Sequence, residues 1–381
     1  MTLQVPTLVR ALLSAVSLAS PLSASAQTNP AERASVLENA LMRYRSLAEQ
    51  APWPVVPDGA HLEPGGRAAR VTLLRRRLQA EGYAVGTAGG EPDLYDPVLE
   101  AAVRRFQELH DLEADGSVGA GTLAALNVPA RARVDQLEAN LEPRRSFPDS
   151  LGERYILMNA AAFRLDVIEG GASVLQLRVI VGRPRLPTPI ASSLVTELLF
   201  RPLWRVPRSI AINEIVPIIR RDPGYPARMG MRVFHGSERA GSEVDPRTID
   251  WSATGRALPY RFVQEPGPRN PLGGVKLVFR TPYDVYLHDT PARALFERRR
   301  RAFSHGCVRV DRIDQLVAYL LPGWPADSIA AAMANGRDRR VPLAAPIPIH
   351  LVYWTAWVEA DGLVAFREDI YHRDRRKAPR A

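Results

Sequence analysis

Two stretches, Val285-Tyr286-Leu287-His288-Asp289-Thr290-Pro291 and Arg301-Ala302-Phe303-Ser304-His305-Gly306-Cys307-Val308-Arg309-Val310, decide how the rest of the chain is read. Val285 to Leu287 has strand composition with His288 near its end, and Cys307, nineteen residues later, starts another strand-like run. Adjacent strand ends joined by a loop of that length can bring the imidazole and the thiol within hydrogen-bond reach. That matters because a thiol at its ordinary pKa is barely ionised at neutral pH and needs a basic or cationic neighbour to act as a nucleophile. Arg309 has strand parity with Cys307, so it can point to the same side and offer positive potential to a carboxylate. Gly306 lets a carbonyl group approach the backbone, and the consecutive amides near Gly306 and Cys307 can serve as an oxyanion hole. Other readings of these residues stay open. A histidine beside an apolar strand is often structural. His288, His305 and Cys307 could ligate zinc, but they lack a CxxC pair or a fourth ligand at familiar spacing, so no metal is expected.

Cys307 is the one cysteine in 381 residues. The chain begins with Arg10, a small and apolar run from Ala11 to Leu22, and Ala24-Ser25-Ala26, the pattern of an export leader cut after residue 26. The run is interrupted by serines and Pro21 and is too short to span a bilayer. No later stretch is long and apolar enough either, so no transmembrane anchor is expected. An unpaired cysteine in an oxidising compartment calls for a working thiol, an intermolecular bond or inert burial. The formal charge is +9, and of the 50 basic residues only Lys276 and Lys377 are lysines. The arginines are spread along the chain, with runs only at Arg75 to Arg77, Arg298 to Arg301 and Arg373 to Arg376. Coding composition or an acidic polymer accounts for them. A nucleic-acid partner explains the charge but neither the leader nor the Cys/His pair.

Outward from the pair, the patterns divide the chain. Residues 27–66 read as a helix with Val36, Leu37, Leu41, Tyr44 and Leu47 on helical spacings, then a Pro/Gly-rich linker. Residues 67–129 read as a three-helix unit. Its second helix is announced by Asp96 as N-cap and Pro97 at the first position, and Asp115-Gly116 marks a turn before the third. A helical connector spans 130–152. From 153 to 324 the composition is mainly β, with strands expected at Tyr155–Met158, Phe163–Ile168, Val174–Val181 and Thr196–Phe200. Residues 208–264 lose clean periodicity and read as a lid-like insertion. Residues 325–381 read as a C-terminal extension.

The catalytic segment resembles the L,D-transpeptidase (YkuD-type) domain, whose signature is a His, about fifteen residues, then Ser/Thr-His-Gly-Cys, a hydrophobic residue and Arg or Asn. Here these are His288, Ser304-His305-Gly306-Cys307, Val308 and Arg309. Pro266-Gly267-Pro268, Asn270, Leu272-Gly273, Tyr286 to Thr290, and the run from Ile347 to Tyr371 resemble the YcbB-like branch. Residues 67–129 resemble peptidoglycan-binding domain 1 through Tyr95-Asp96, Phe106-Gln107, Asp115-Gly116 and Leu126-Asn127. The likeness runs from about residue 65 to 374. It implies an α+β, mainly β, mixed-sheet and sandwich-like catalytic domain beside a small three-helix domain. It further implies Cys307 as nucleophile, His288 as general base and Gly306 in a backbone oxyanion hole. Tyr286, Ser304, His305 and Arg309 would line the pocket, with the imidazole oriented near Asp289 or by Ser304. The expected partners are peptidoglycan stem peptides, a tetrapeptide donor and an amine acceptor, and carbapenem-type inhibitors. No cofactor is needed for thiol acyl transfer. The expected location is periplasmic and wall-associated. Hydrolysis by the same residues, as an L,D-carboxypeptidase, and a non-catalytic wall-binding protein are the alternatives.

Overall fold

Apolar spacing along the first part of the chain yields, among the described residues, five helices, α1 Pro30–Gln50, α2 Ala69–Ala80, α3 Pro97–Leu109, α4 Ala120–Leu126 and α5 Ala130–Arg145. The computed structural model describes residues 30–50, 53–86, 90–148, 151–236, 241–254 and 258–374. The leader expected at 1–26 and the end of the Arg373–Arg376 run lie outside them. Helices α2 to α4 form the three-helix unit, with Val71, Leu74, Leu78, Leu99, Val103, Phe106 and Leu126 in one core. Asp96 caps α3 as its sequence position implies, accepting from the Leu99 amide at 2.8 Å. Gln107 fastens the Asp115-Gly116 turn, donating to Asp115 Oδ1 at 2.9 Å and accepting from the Gly116 amide at 2.9 Å. That part of the resemblance is therefore packing and turn chemistry.

Apolar runs from Arg154 onward produce fifteen strands among the described residues. They are β1 Arg154–Asn159, β2 Arg164–Glu169, β3 Ala172–Gly182, β4 Ala191–Phe200, β5 Trp204–Arg205, β6 Met231–His235, β7 Ser242–Val244 and β8 Tyr260–Gln264. They continue as β9 Val275–Phe279, β10 Leu287–His288, β11 Ala302–Ser304, β12 Val308–Val310, β13 Arg339–Val352, β14 Ala356–Val358 and β15 Val364–Phe366. Nine of them form one mixed sheet in the order β11-β3-β12-β10-β9-β4-β13-β1-β2, and β2 also pairs with β3. That last pairing closes the sheet into a barrel-like ring, with β11 added beside β3. Closure removes bare sheet edges. Val179, Leu198, Leu277, Leu287, Val308 and Ile349 fill the interior, and helix Ile313–Leu320 packs Ile313, Leu316 and Val317 against them. The α+β, mainly β domain beside a small helical domain is as the sequence implies.

The extension drawn at 325–381 contributes β13 to the ring, between β4 and β1. Pro342, Pro346 and Pro348 argue against a central strand because proline cannot donate to a ladder. The chain accommodates them with a register shift between Pro342 and Ile347, and β1 pairs only from Ile349 onward. The segment after β13 returns to the helices. The β14–β15 hairpin brings Phe366 against Tyr44 at 5.6 Å, edge to face, and under the Arg133 guanidinium at 4.3 Å. Asn140 and Thr355 bond reciprocally at 2.7 and 2.9 Å.

The insertion has a core of its own. Strands β5, β8, β6 and β7 form a second sheet in that order, covered by the helical run Arg208–Ile210, Ala211–Ile215 and Val216–Arg221. Ile215, Ile219, Met231, Trp251 and Phe262 are buried between them.

Candidate active site

The ring places the two residues singled out by spacing on or beside neighbouring strands. Strand β10 runs parallel to β12, with Leu287 opposite Val308 and His288 opposite Arg309, and antiparallel to β9, with His288 opposite Lys276. Leu277, Leu287 and Val308 face the core. By strand alternation their neighbours Lys276, His288 and Arg309 form one row on the other face. Cys307 sits at the entrance to β12, half-buried, and its thiol donates to the Asp284 carbonyl at 3.8 Å.

The turn that carries the thiol is fixed by its own residues. Ser304 donates its hydroxyl to the Cys307 carbonyl at 2.5 Å and accepts the Gly306 amide at 3.1 Å. Thr188 accepts the Gly182 amide at 2.9 Å and donates to the Gly306 carbonyl at 2.8 Å. Gly306 has φ +116°, which only glycine adopts cheaply, and a Cβ there would meet nothing closer than 3.7 Å. Its value is conformational. Its amide is already bonded to Ser304, whereas the Cys307 amide donates to none of the described residues. Of the two consecutive amides expected to form an oxyanion hole, the one at Cys307 is therefore the unbonded one among the described residues.

His288 is buried, and its Nδ1 donates to the Asp289 carbonyl at 2.5 Å. A neutral imidazole carries one N–H, so this bond leaves the Nε2 lone pair as the basic site. The orienting role expected near Asp289 belongs to its backbone. The Asp289 carboxylate instead accepts the Gly274 amide at 2.8 Å and Arg293 at 2.5 Å, bracing the turn into β9. Ser304 bonds the Cys307 carbonyl and the Gly306 amide, and among the described residues no bond from it reaches the imidazole.

Burial, then the charges of Arg309 and Lys276, push His288 down to about 3, while its bond to Asp289 pulls the other way. Burial also raises the Cys307 thiol above its ordinary value, opposed by hydrogen bonds from the Tyr286 backbone and side chain. Both groups rest uncharged, since each ionised form is desolvated. Burial lowers Arg309, with Cys307 the group opposing it, and no described carboxylate pairs with its guanidinium. Lys276, which spacing alone did not single out for the site, lies over the Tyr286 ring at 4.6 Å. Its one signal was rarity, one lysine of two against 48 arginines. Register brought it in. Two clefts of about 500 Å³ flank the segment Tyr283–Val285. One is lined by Pro187, Ile190, His305 and Gly306, the other by Lys276 and Tyr286.

His305, expected in the pocket, also reaches the lid, its Nε2 lying 2.5 Å from Glu214 Oε1. Glu214 and Arg183, which meets the same carboxylate at 3.3 Å, carried no sequence signal. Among the described residues, no group of three His, Cys, Asp or Glu is arranged to hold a metal.

Fold and site together define a β-barrel domain with an inserted four-stranded sheet, and a thiol with an imidazole on the neighbouring strand. Residues 153–327 match the L,D-transpeptidase catalytic domain family, YkuD, and residues 67–126 match the family described as "Putative peptidoglycan binding domain". The chain is thus similar to the L,D-transpeptidase catalytic domain over 153–327 and to a peptidoglycan-binding domain over 67–126. A curated relative from Haemophilus influenzae, described as "Putative L,D-transpeptidase", is 33% identical over 242 residues, 63% of this chain and 48% of its own. The chain thus spans about half the length of the curated relative it matches. Among solved structures, an L,D-transpeptidase from Xylanimonas cellulosilytica is similar at 17% identity over 77% of this chain and 98% of its own, with a TM-score of 0.25. L,D-transpeptidase 3 from Mycobacterium tuberculosis, in complex with a faropenem-derived adduct, is similar at 14% identity over 52% and 60%, with a TM-score of 0.26.

Proposed function

We propose that this chain is an L,D-transpeptidase that crosslinks peptidoglycan stem peptides through a thioester on Cys307. The observation that supports the reading is the row across β9, β10 and β12, where neutral His288 stands between Lys276 and Arg309, with the chain's single thiol two residues before Arg309. Two half-buried cations without an ion-pair partner among the described carboxylates favour a substrate rich in carboxylates, as stem peptides are.

The steps follow from the site. Sγ attacks the carbonyl that joins the third stem residue to the terminal D-alanine, and its proton passes to His288 Nε2. The developing oxyanion turns to the free Cys307 amide. Collapse breaks the C–N bond, D-alanine leaves with the proton from His288, and the thioester remains. The amine of a neighbouring stem then attacks this thioester. Its proton passes through His288 to the departing sulfur, and a 3→3 crosslink results. Because thiol and imidazole both rest neutral, proton transfer accompanies attack instead of preceding it. The lid excludes water that would otherwise divert the thioester to hydrolysis, the small domain holds the chain on the wall, and the leader delivers it to the periplasm.

The test incubates the reduced mature protein, with Cys307→Ala beside it, with a disaccharide-tetrapeptide and follows products by mass spectrometry. A dimer formed with loss of D-alanine, absent in the variant, is expected. Tripeptide alone would make the protein an L,D-carboxypeptidase, and intact substrate with folded protein would sink both readings. A carbapenem is expected to add its mass to the wild type and not to Cys307→Ala.

A further inference from the structure

Barrel residues pin the backbone of the Cys307 turn, through Thr188 and through the Arg183 amide, which donates to the Ser304 carbonyl at 2.9 Å. The His305 ring instead meets the lid. Its Nε2 lies 2.5 Å from Glu214 Oε1, and Arg183 reaches the same carboxylate at 3.3 Å and the same ring nitrogen at 2.9 Å. One ring nitrogen cannot donate to Glu214 and accept from Arg183 at once. The arrangement that satisfies all three groups makes the carboxylate the shared acceptor of an imidazole N–H and a guanidinium N–H.

Glu214 lies in the π-helical turn Ala211–Ile215, a backbone form that occurs mostly as single turns and often at functional positions. Ala211 and Ile215 are buried in the lid's own core, and Glu214 between them is directed to the catalytic turn. At the other end the lid's two connections are held by Asn270, whose amide donates to the Pro202 carbonyl at 2.9 Å and the Glu265 carbonyl at 3.3 Å. The lid therefore has a stapled stem and, among the described residues, one charged clasp onto the turn that carries the nucleophile.

The geometry points to Glu214 as a positioning residue that, through His305, couples closure of the lid to the placement of Cys307. With the lid down, the clasp restrains the one side chain of the turn that the barrel backbone leaves free. With the lid lifted, His305 loses its acceptor and the turn keeps only its Ser304 and Thr188 pins. This rests on Cys307 being the nucleophile.

The experiment compares wild type with Glu214→Ala, Glu214→Gln, His305→Ala and the Glu214→Ala/His305→Ala double variant. It reads tetrapeptide turnover, alkylation of the single thiol by iodoacetamide, and thermal midpoint. In Glu214→Ala, kcat is expected to fall about tenfold through misplacement while KM changes little. Alkylation should rise about threefold because the lid opens more often. Glu214→Gln, which keeps an acceptor oxygen, should restore most of the turnover. The double variant should be no slower than the slower single one, since both break the same contact. Unchanged alkylation and turnover in Glu214→Ala would overturn the assignment. So would additive losses, failure of Glu214→Gln to recover, or a fall in both rates in step with thermal midpoint. If wild type turns over no tetrapeptide, the alkylation arm still reads the clasp, so the two proposals fail separately.

Discussion

Cys307 lies above its ordinary pKa because burial penalises the thiolate, and His288 is held at about 3 because burial and two neighbouring cations penalise the imidazolium. Neither can lend its charge to the other before substrate arrives. Alkylation of the wild-type thiol by iodoacetamide should therefore accelerate about tenfold per pH unit from 6 to 9, following thiolate alone. Stopped-flow or mass-resolved labelling across that range reads it directly. A plateau below pH 7 would mean a standing thiolate–imidazolium pair and would remove the general-base role given to His288. At this scale the motif was informative because its spacing is local. Cys307 and His288 could be read from their spacing, Arg309 from strand parity with Cys307 and Gly306 from its small size, whereas Ser304 came with the family resemblance. Lys276 and Glu214 could not, since one arrives by register across β9 and the other through the lid. Nothing in the sequence says that the Ser304 hydroxyl accepts the Gly306 amide.

Among the elements, strand composition at Arg154–Asn159, Arg164–Glu169 and Ala172–Gly182 was plain because each carries a run of apolar and β-branched residues. β13 was not, because its prolines mimic an extension, and the lid was not, because short strands around a small core leave little periodicity. Asn270 is the element-scale device with the clearest consequence. It is fully buried and ties the lid's entry at Pro202 to its exit at Glu265, while its Oδ1 accepts the Leu272 amide at 2.9 Å. Replacing it with alanine strands buried carbonyl groups and an amide, each costing about 1–3 kcal/mol if left unpaired. Asn270→Ala should lose about 2–3 kcal/mol by denaturant titration. Hydrogen exchange should quicken around Pro202 and Glu265 more than in β1 or β13. Uniform exchange across the barrel would show that the residue does not act on the lid stem.

For the molecule as a whole, the relative placement of the two domains was the least readable feature, because it rests on contacts between residues far apart in sequence. Arg367 is central to it. Its guanidinium donates to the carbonyls of Leu109 and Glu108 at the end of α3, and lies over Trp357 at 4.8 Å. Burial brings it down to about 10, which still leaves it charged at neutral pH. A cation at a helix C-terminus satisfies orphan carbonyls and the helix dipole together. Arg367→Ala should lower stability by about 2–3 kcal/mol through those unpaired carbonyls. Scattering should report a longer molecule as the small domain detaches, and unchanged dimensions would mean that the remaining hairpin contacts suffice.

The closure of the ring also sets an order in time. β13 fills the place between β4 and β1, and Asn159 bonds the Trp354 carbonyl across 195 positions of chain. Contacts of such separation form late and slowly. A ribosome working from the amino end has already made Cys307 when β1 and β4 still lack their common neighbour. The nascent chain therefore carries its reactive sulfur without the completed barrel that houses it, and any product truncated before residue 339 should be inert. Chemistry waits for the tail.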